Sequence, residues 1–146
     1  MTTDVVKFLE TKNRALAGVS RQKQKFGNTL YKTLTKRGLT ILPVHPELSE
    51  YEGAKCYNRI SDLPAEIDGL IICTAPDKAL SLINEAIAHG IKQIWLQQGA
   101  ENPELIRTFE SSDINLITGK CILMYAQPVT SFHKFHRFLA KLFGKL

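Results

Sequence analysis

Short runs of apolar residues recur along the chain, separated by longer stretches in which apolar residues have helical spacing. Five runs, at 15–19, 39–44, 67–73, 91–97 and 114–117, predict β-strands. The third run is apolar at consecutive positions, which is typical of a strand covered on both faces of its sheet.

Helices are predicted for 1–13, 28–37, 76–88 and the segment that begins at Asn102. The helix at 28–37 ends at Gly38, a residue that accepts the left-handed conformation common at helix ends. Pro76 suits the first turn of its helix because that turn leaves backbone N–H groups unpaired anyway. Segment 47–58 predicts a loop that contains a short strand or turn.

Strands alternate with helices along most of the chain, and this order predicts βαβ crossovers. With 146 residues, 44% of them hydrophobic, the chain can bury one core but not two. We therefore expect one α/β domain over 1–146. It would be a Rossmann-like three-layer sandwich, in which helices cover both faces of a mostly parallel sheet of about five strands.

The net charge of +5 is distributed unevenly. Residues 11–46 hold no Asp or Glu, and neither does the chain after Asp113, whereas lysines and arginines occur in both segments. Such segregation favours a polyanion, either a phosphorylated cofactor, a nucleic acid or an anionic membrane. A solvated basic surface that keeps the protein soluble is the alternative.

Several classes of protein are not indicated. Asp4, Lys7 and Glu10 interrupt the region where a signal peptide would be apolar, so we expect a cytoplasmic protein. The three cysteines are too far apart to suggest a disulfide framework or a zinc site. His133 and His136 are interpreted as helix-surface residues, and no catalytic residue or metal ligand is assigned.

The turn after the first strand is the strongest candidate for a binding site. Ligands of open parallel sheets bind at the carboxyl ends of the strands. A glycine lets the backbone approach a phosphate, and the first amides of a helix favour an anion. A tight turn that needs one glycine is the alternative. The candidate pyrophosphate cradle comprises Gly18, Val19, Ser20, Arg21, Lys25, Gly27 and Asn28.

The turns after the next three strands could complete this site. Pro43, Val44 and His45 could form an apolar slot for a purine. This turn lacks the acidic residue that often binds ribose hydroxyls, which favours a cofactor with a phosphate on its ribose. Thr74 and Pro76, with Gln97 after the fourth strand, could line the path of an elongated neutral arm.

The order of these motifs resembles that of small bacterial CoA-binding proteins, which are similar to the CoA-binding amino-terminal domain of the succinyl-CoA synthetase alpha subunit. The resemblance extends from about Arg14 to Cys121. The residues that carry it are Gly18-Val19-Ser20, Gly38, Pro43-Val44-His45-Pro46, Gly53, Lys55-Cys56-Tyr57, Ser61-Asp62-Leu63-Pro64, Glu85-Ala86-Ile87, Gly90, Ile94-Trp95-Leu96-Gln97-Gln98-Gly99 and Cys121.

The resemblance implies that Gly18, Val19 and Ser20 hold the diphosphate of CoA or an acyl-CoA. Pro43, Val44 and His45 would flank the adenine, while Thr74, Pro76 and Gln97 would border the pantetheine arm. The basic loop departs from the family's Pro- and Asn-containing loop, with Arg21, Lys23 and Lys25 replacing more neutral residues. For Cys121, a buried structural role is favoured over a reaction with the CoA thiol.

The sequence is compatible with two functions. The first is non-catalytic binding of CoA or an acyl-CoA, which the resemblance favours. The second is an NADP- or NAD-binding regulator, or an enzyme subunit whose active site forms at an interface. The tail at 130–146 predicts a basic amphipathic helix. Packing of this helix on the domain or on a second copy of the chain is favoured over contact with a membrane or nucleic acid. For the protein as a whole, a homodimer or a protein partner is considered.

Overall fold

A parallel sheet organises the computed structural model, which describes residues 2–22 and 24–126. The predicted tail helix at 130–146 lies outside the described residues. The helices are α1 Thr3–Leu9, α2 Phe26–Lys36, α3 Pro76–His89 and α4 Pro103–Thr108. The strands are β1 Arg14–Ala17, β2 Ile41–Val44, β3 Glu50–Tyr51, β4 Ala54–Lys55, β5 Gly69–Ile72, β6 Gln93–Gln97 and β7 Asn115–Lys120.

The main sheet has the strand order β2-β1-β5-β6-β7, and all its neighbouring strands are parallel. Each of the five apolar runs contributes one strand, so the predicted strands are confirmed. Segment 47–58, predicted as a loop with a short strand or turn, contains the antiparallel hairpin of β3 and β4. Among the described residues, no helix has the length and apolarity that a membrane crossing requires.

Alternate residues of the central strands point to opposite faces of the sheet and enter two separate cores. Leu16, Ile71 and Trp95 pack with α1 and α2 on one face. Ala17, Ile72 and Leu96 pack with α3 and α4 on the other. All six are nearly inaccessible to solvent, which explains why these strands are apolar at consecutive positions. The expected three-layer α/β architecture is confirmed.

Trp95 lies at the centre of the first of these cores, as a buried residue of β6. Its ring meets that of Phe8 edge to face, with the ring centroids 5.4 Å apart. Its indole Nε1 donates to the carbonyl oxygen of Lys120 at 3.0 Å, so its polar atom is satisfied inside the core. Trp95 therefore joins α1 and β7 to the middle of the sheet.

The junction between β1 and α2 brings three backbone segments unusually close together. Gly18 has φ +139°, and a Cβ there would overlap the carbonyl oxygen of Cys73, next to β5. A Cβ on Gly27, in the first turn of α2, would overlap the carbonyl oxygen of Gly18. Both positions need glycine, because backbone atoms occupy the space that a side chain would fill.

Replacing Gly27 tests this close approach. We expect Gly27→Ala to lower the free energy of unfolding by about 2–3 kcal/mol, because the helix start must move away from the β1 turn. Gly90→Ala is the control: nothing lies within 4 Å of a Cβ there, although φ is +90°. Chemical denaturation measures both variants, and a Gly27→Ala protein at least as stable as Gly90→Ala would contradict the packing described.

Candidate functional site

A cleft of about 630 Å³ opens at the carboxyl edge of the main sheet. It lies beyond the ends of β1, β2 and β5, and residues of α3 form one side. Its lining residues are Ala17, Gly18, Val19, Ser20, Lys25, Val44, His45, Pro46, Glu47, Asn58, Cys73, Thr74, Ala75, Lys78, Ser81, Leu82 and Glu85.

The strand order explains the position of this cleft. From β1 the chain crosses to β2 on one side, and it later returns to β5 on the other side of β1. The loops that leave β1 and β5 therefore diverge, and a crevice opens between them at the carboxyl edge. In open α/β sheets, this reversal of strand order is the usual place for a ligand.

The N-terminal ends of two helices border the cleft. Lys25, the N-cap of α2, and Ala75, the N-cap of α3, both line it. Unpaired amides at helix starts carry partial positive charge, which favours an anion nearby. The Lys25 and Lys78 side chains add full charges to the same region. Helix ends and lysines together make this part of the cleft suitable for phosphate groups.

The bend from Gly18 to Gln22 is held by the side chain of Asn28. Asn28 Oδ1 accepts from the Ser20 amide at 2.9 Å, and Nδ2 donates to the carbonyl oxygens of Ser20 and Gln22. The Ser20 hydroxyl accepts from the Gln22 amide at 3.1 Å and can still donate its own proton. The Ser20 amide is thus used within the protein, which leaves the hydroxyl as the donor that Ser20 can offer a ligand.

His45 is held in one tautomer by the loop that follows it. Its Nδ1 accepts from the amides of Glu47 and Leu48, at 3.0 and 3.2 Å. In the neutral ring, Nε2 therefore carries the proton. Burial lowers the pKa of His45, the cations of Arg21 and Lys78 lower it further, and the Glu47 carboxylate opposes them. The ring is a neutral donor at pH 7.

Arg21 lies beside the cleft rather than in its lining. Its guanidinium is 4.0 Å from the carboxylate of Glu47, which does line the cleft, and both side chains are largely exposed. An ion pair in such a solvated position contributes little to stability. The two loops that leave β1 and β2 nevertheless meet here, and Arg21 is available to an anion at the rim.

The structure brings seven of the predicted site residues into the cleft lining. These are Gly18, Val19, Ser20, Lys25, Val44, His45 and Thr74. Gly27 and Asn28 are buried behind the bend and shape it without lining the cleft.

Three predicted residues have structural positions outside the lining. Pro43 is buried in β2, where its carbonyl oxygen accepts from the Tyr57 amide. Pro76 occupies the first turn of α3. Gln97 is 1% exposed, and its Oε1 accepts from the amide of Ile122 at 3.1 Å. The side chain of Gln97 therefore joins the end of β6 to the segment that follows β7.

Sequence reasoning missed one side of the cleft. Lys78, Ser81, Leu82 and Glu85 of α3 line it, as do Glu47 of the loop after β2 and Asn58, which follows β4. The α3 residues recur at helical spacing on the side next to the buried stripe, a signal that the sequence does contain. Nothing local distinguishes them from an ordinary solvated helix surface.

Two cysteines lie near the site with their thiols in the protonated form. Cys73 lines the cleft, and burial raises the pKa of its thiol, as does the nearby Cys121. Burial also raises the pKa of the Cys56 thiol, which a hydrogen bond from the backbone of His45 partly offsets. Cys121, predicted to be buried, is half-buried. A raised pKa reduces the thiolate fraction at neutral pH and hence the reactivity.

Comparison with known proteins identifies the family. A family model described as CoA binding domain matches residues 12–127. Acetate–CoA ligase [ADP-forming] I of Archaeoglobus fulgidus is 26% identical over 120 residues, 75% of this chain. That match spans 18% of the length of the ligase.

Solved structures agree with the family model. A conserved hypothetical protein from Pyrococcus furiosus has a TM-score of 0.74 at 35% identity, with 77% of this chain and 97% of that chain covered. The dinucleotide-forming acetyl-coenzyme A synthetase 1 of Ca. Korarchaeum cryptofilum, solved with phosphate and ADP, has a TM-score of 0.67 at 26% identity. The match covers 79% of this chain and 27% of the synthetase.

The family model covers most of the sequence and includes β1, the bend after it and every lining residue of the cleft. It confirms the resemblance to CoA-binding domains that the order of the motifs indicated. The chain belongs to the family of CoA binding domains.

Proposed function

We propose that the cleft binds CoA or an acyl-CoA, with the diphosphate at the bend from Gly18 to Ser20. The observation that carries this proposal is that two helix N-termini and two lysines line the same cleft as that bend, in a chain of the CoA binding domain family. Phosphate oxygens would accept a hydrogen bond from the Ser20 hydroxyl and lie close to Lys25 and Lys78.

The remaining parts of the ligand have suitable neighbours along the same cleft. Val44 and His45 would flank the adenine, with the Nε2 proton of His45 available to a ring nitrogen or a phosphate oxygen. The pantetheine arm would pass Thr74 and the α3 residues Ser81 and Leu82. A cleft of about 630 Å³ is within the range of cofactor-binding pockets.

The role we assign to this chain is binding rather than catalysis. The lining side chains named above supply hydrogen-bond donors, positive charge and apolar contact, the requirements of a cofactor site. The NAD(P)-binding alternative receives no support from the family. A protein partner is favoured by the A. fulgidus ligase, in which the matching region is 18% of a longer chain. The chain would then hold CoA for chemistry carried out by other domains or proteins.

Ligand-dependent stabilisation tests the proposed cofactor. CoA at 100 times its dissociation constant should stabilise the fold by about 2.7 kcal/mol, because it binds the folded state alone. For a chain of this size, that corresponds to a rise in Tm of roughly 5–10 °C. Differential scanning fluorimetry with CoA, acetyl-CoA, NADP and NAD measures it. A rise with NADP or NAD and none with either CoA compound would contradict the proposal.

Lysine substitutions test where the phosphates bind. We expect Lys25→Gln and Lys78→Gln each to weaken CoA binding by about five- to tenfold, because each removes a charge beside the diphosphate. Lys36→Gln, at the opposite end of α2, is the control with the same change in net charge. Isothermal titration calorimetry compares the three. Equal losses in all of them would mean that overall charge, rather than the cleft, attracts the ligand.

The histidine at the cleft should make stability depend on pH. The pKa of His45 lies below its ordinary value of 6.5, so the folded state favours the neutral ring. Its contribution is complete above pH 6.5 and is lost as the pH falls from 6.5 through the lowered pKa. The stability difference between wild type and His45→Ala should therefore narrow on acidification. Urea denaturation from pH 8 to pH 5 measures this, with His89→Ala as the control; a constant difference would refute it.

A further inference from the structure

The hairpin of β3 and β4 places a tyrosine beside the start of α2. Its turn residues, Glu52 at φ +51° and Gly53 at φ +79°, have the left-handed conformations of a tight hairpin turn. Tyr51 is 8% exposed, and its ring meets that of Tyr31 edge to face at 4.9 Å. Tyr31 belongs to α2, so the aromatic pair fastens the hairpin to the helix that follows the bend.

The Tyr51 hydroxyl reaches the residue that shapes the bend. It donates to Asn28 Oδ1 at 2.5 Å, and the same oxygen accepts from the Ser20 amide at 2.9 Å. Both hydrogens of the Asn28 amide are used as well, at the carbonyl oxygens of Ser20 and Gln22. Asn28 is 5% exposed. Its side-chain amide nevertheless uses both its donors and accepts twice at Oδ1, so its hydrogen-bonding capacity is satisfied inside the protein.

The segment that follows the hairpin, Tyr57 and Asn58, is hydrogen-bonded to the end of β2 and to the loop after it. The Tyr57 amide donates to the Pro43 carbonyl oxygen, and the His45 amide donates to the Tyr57 carbonyl oxygen, at 3.0 and 2.9 Å. Asn58 Nδ2 donates to the carbonyl oxygens of His45 and Leu48. The backbone that carries His45 into the cleft therefore holds the chain directly after the hairpin.

We propose that Tyr51 is a positioning residue for phosphate binding, which acts through Asn28 to hold the bend from Gly18 to Ser20 in its binding shape before the ligand arrives. This inference rests on the proposed function, since it takes the bend as the diphosphate site. Two donors, the Tyr51 hydroxyl and the Ser20 amide, converge on one oxygen and fix the orientation of the Asn28 amide. A bend already in shape binds more tightly because less ordering is required on binding.

The test compares Tyr51→Phe with Tyr31→Phe in the full chain. Tyr51→Phe removes the donor to Asn28 and keeps the aromatic pair, whereas Tyr31→Phe removes a hydroxyl from the other member of that pair. We expect Tyr51→Phe to raise the Kd for CoA about tenfold and Tyr31→Phe to leave it within about twofold of wild type. Isothermal titration calorimetry gives these values. Equal affinity in Tyr51→Phe and wild type would overturn the positioning role.

A second measurement needs no ligand. NMR hydrogen exchange of the Ser20 amide should accelerate about tenfold in ligand-free Tyr51→Phe, because its acceptor loses a fixed orientation, and remain unchanged in Tyr31→Phe. Unchanged exchange in Tyr51→Phe would refute the inference whether or not CoA binds. If wild type fails to bind CoA while the exchange accelerates as expected, the proposed function fails and the control of the bend by Tyr51 is retained.

A double substitution tests the route through Asn28. In an Asn28→Ala background, Tyr51→Phe should change the Ser20 exchange rate by less than about twofold, because the shared acceptor is already absent. A further tenfold acceleration in that background would mean that Tyr51 acts by another route and would overturn the inference as stated.

Discussion

The close contact of Gly18 with two other backbone segments is the constraint on which the site depends. The turn after β1 lies against the carbonyl of Cys73 on one side and supports the first turn of α2 on the other. A side chain at Gly18 or Gly27 would separate them. Because both positions are glycine, the start of α2 lies directly on the bend, and its N-cap residue Lys25 lines the cleft at the carboxyl edge of the sheet. The proposed phosphate site at this edge thus depends on backbone packing.

The polar backbone groups of this closely packed bend require hydrogen-bond partners, and the Asn28 side chain provides them. The bend carries polar backbone groups in a partly buried place, and unsatisfied groups there would cost free energy. Asn28 satisfies three of them, and Tyr51 completes its hydrogen bonding from a separate two-stranded sheet. The minor hairpin is therefore part of the construction of the cleft, although it adds nothing to the main sheet. Local shape at the bend is set by residues that the ligand need not touch.

The parts of the structure with a local signal could be predicted from the sequence, and the parts set by long-range packing could not. Consecutive apolar residues identified the strands, and Gly18-Val19-Ser20 marked the turn that lines the cleft. Gln97 was assigned to the ligand because it follows a strand, yet its side chain binds the amide of Ile122, 25 positions away. Tyr51 likewise acts 23 positions from Asn28, through a contact that no spacing rule indicates.

The charges of the cleft argue for a ligand with phosphates at one end rather than for a uniform polyanion. Lys25 and Lys78 lie at the starts of the two helices, and the lining carboxylate of Glu47 is paired with Arg21 at 4.0 Å. Glu85 lies seven residues beyond Lys78, about 10 Å further along α3. A nucleic acid in this cleft would place phosphates next to Glu85, and repulsion would oppose it. A cofactor whose phosphates meet the helix starts and whose arm is neutral avoids that contact. On the proposed function, the net charge of +5 would attract anions in general, and the order of charges within the cleft would select among them.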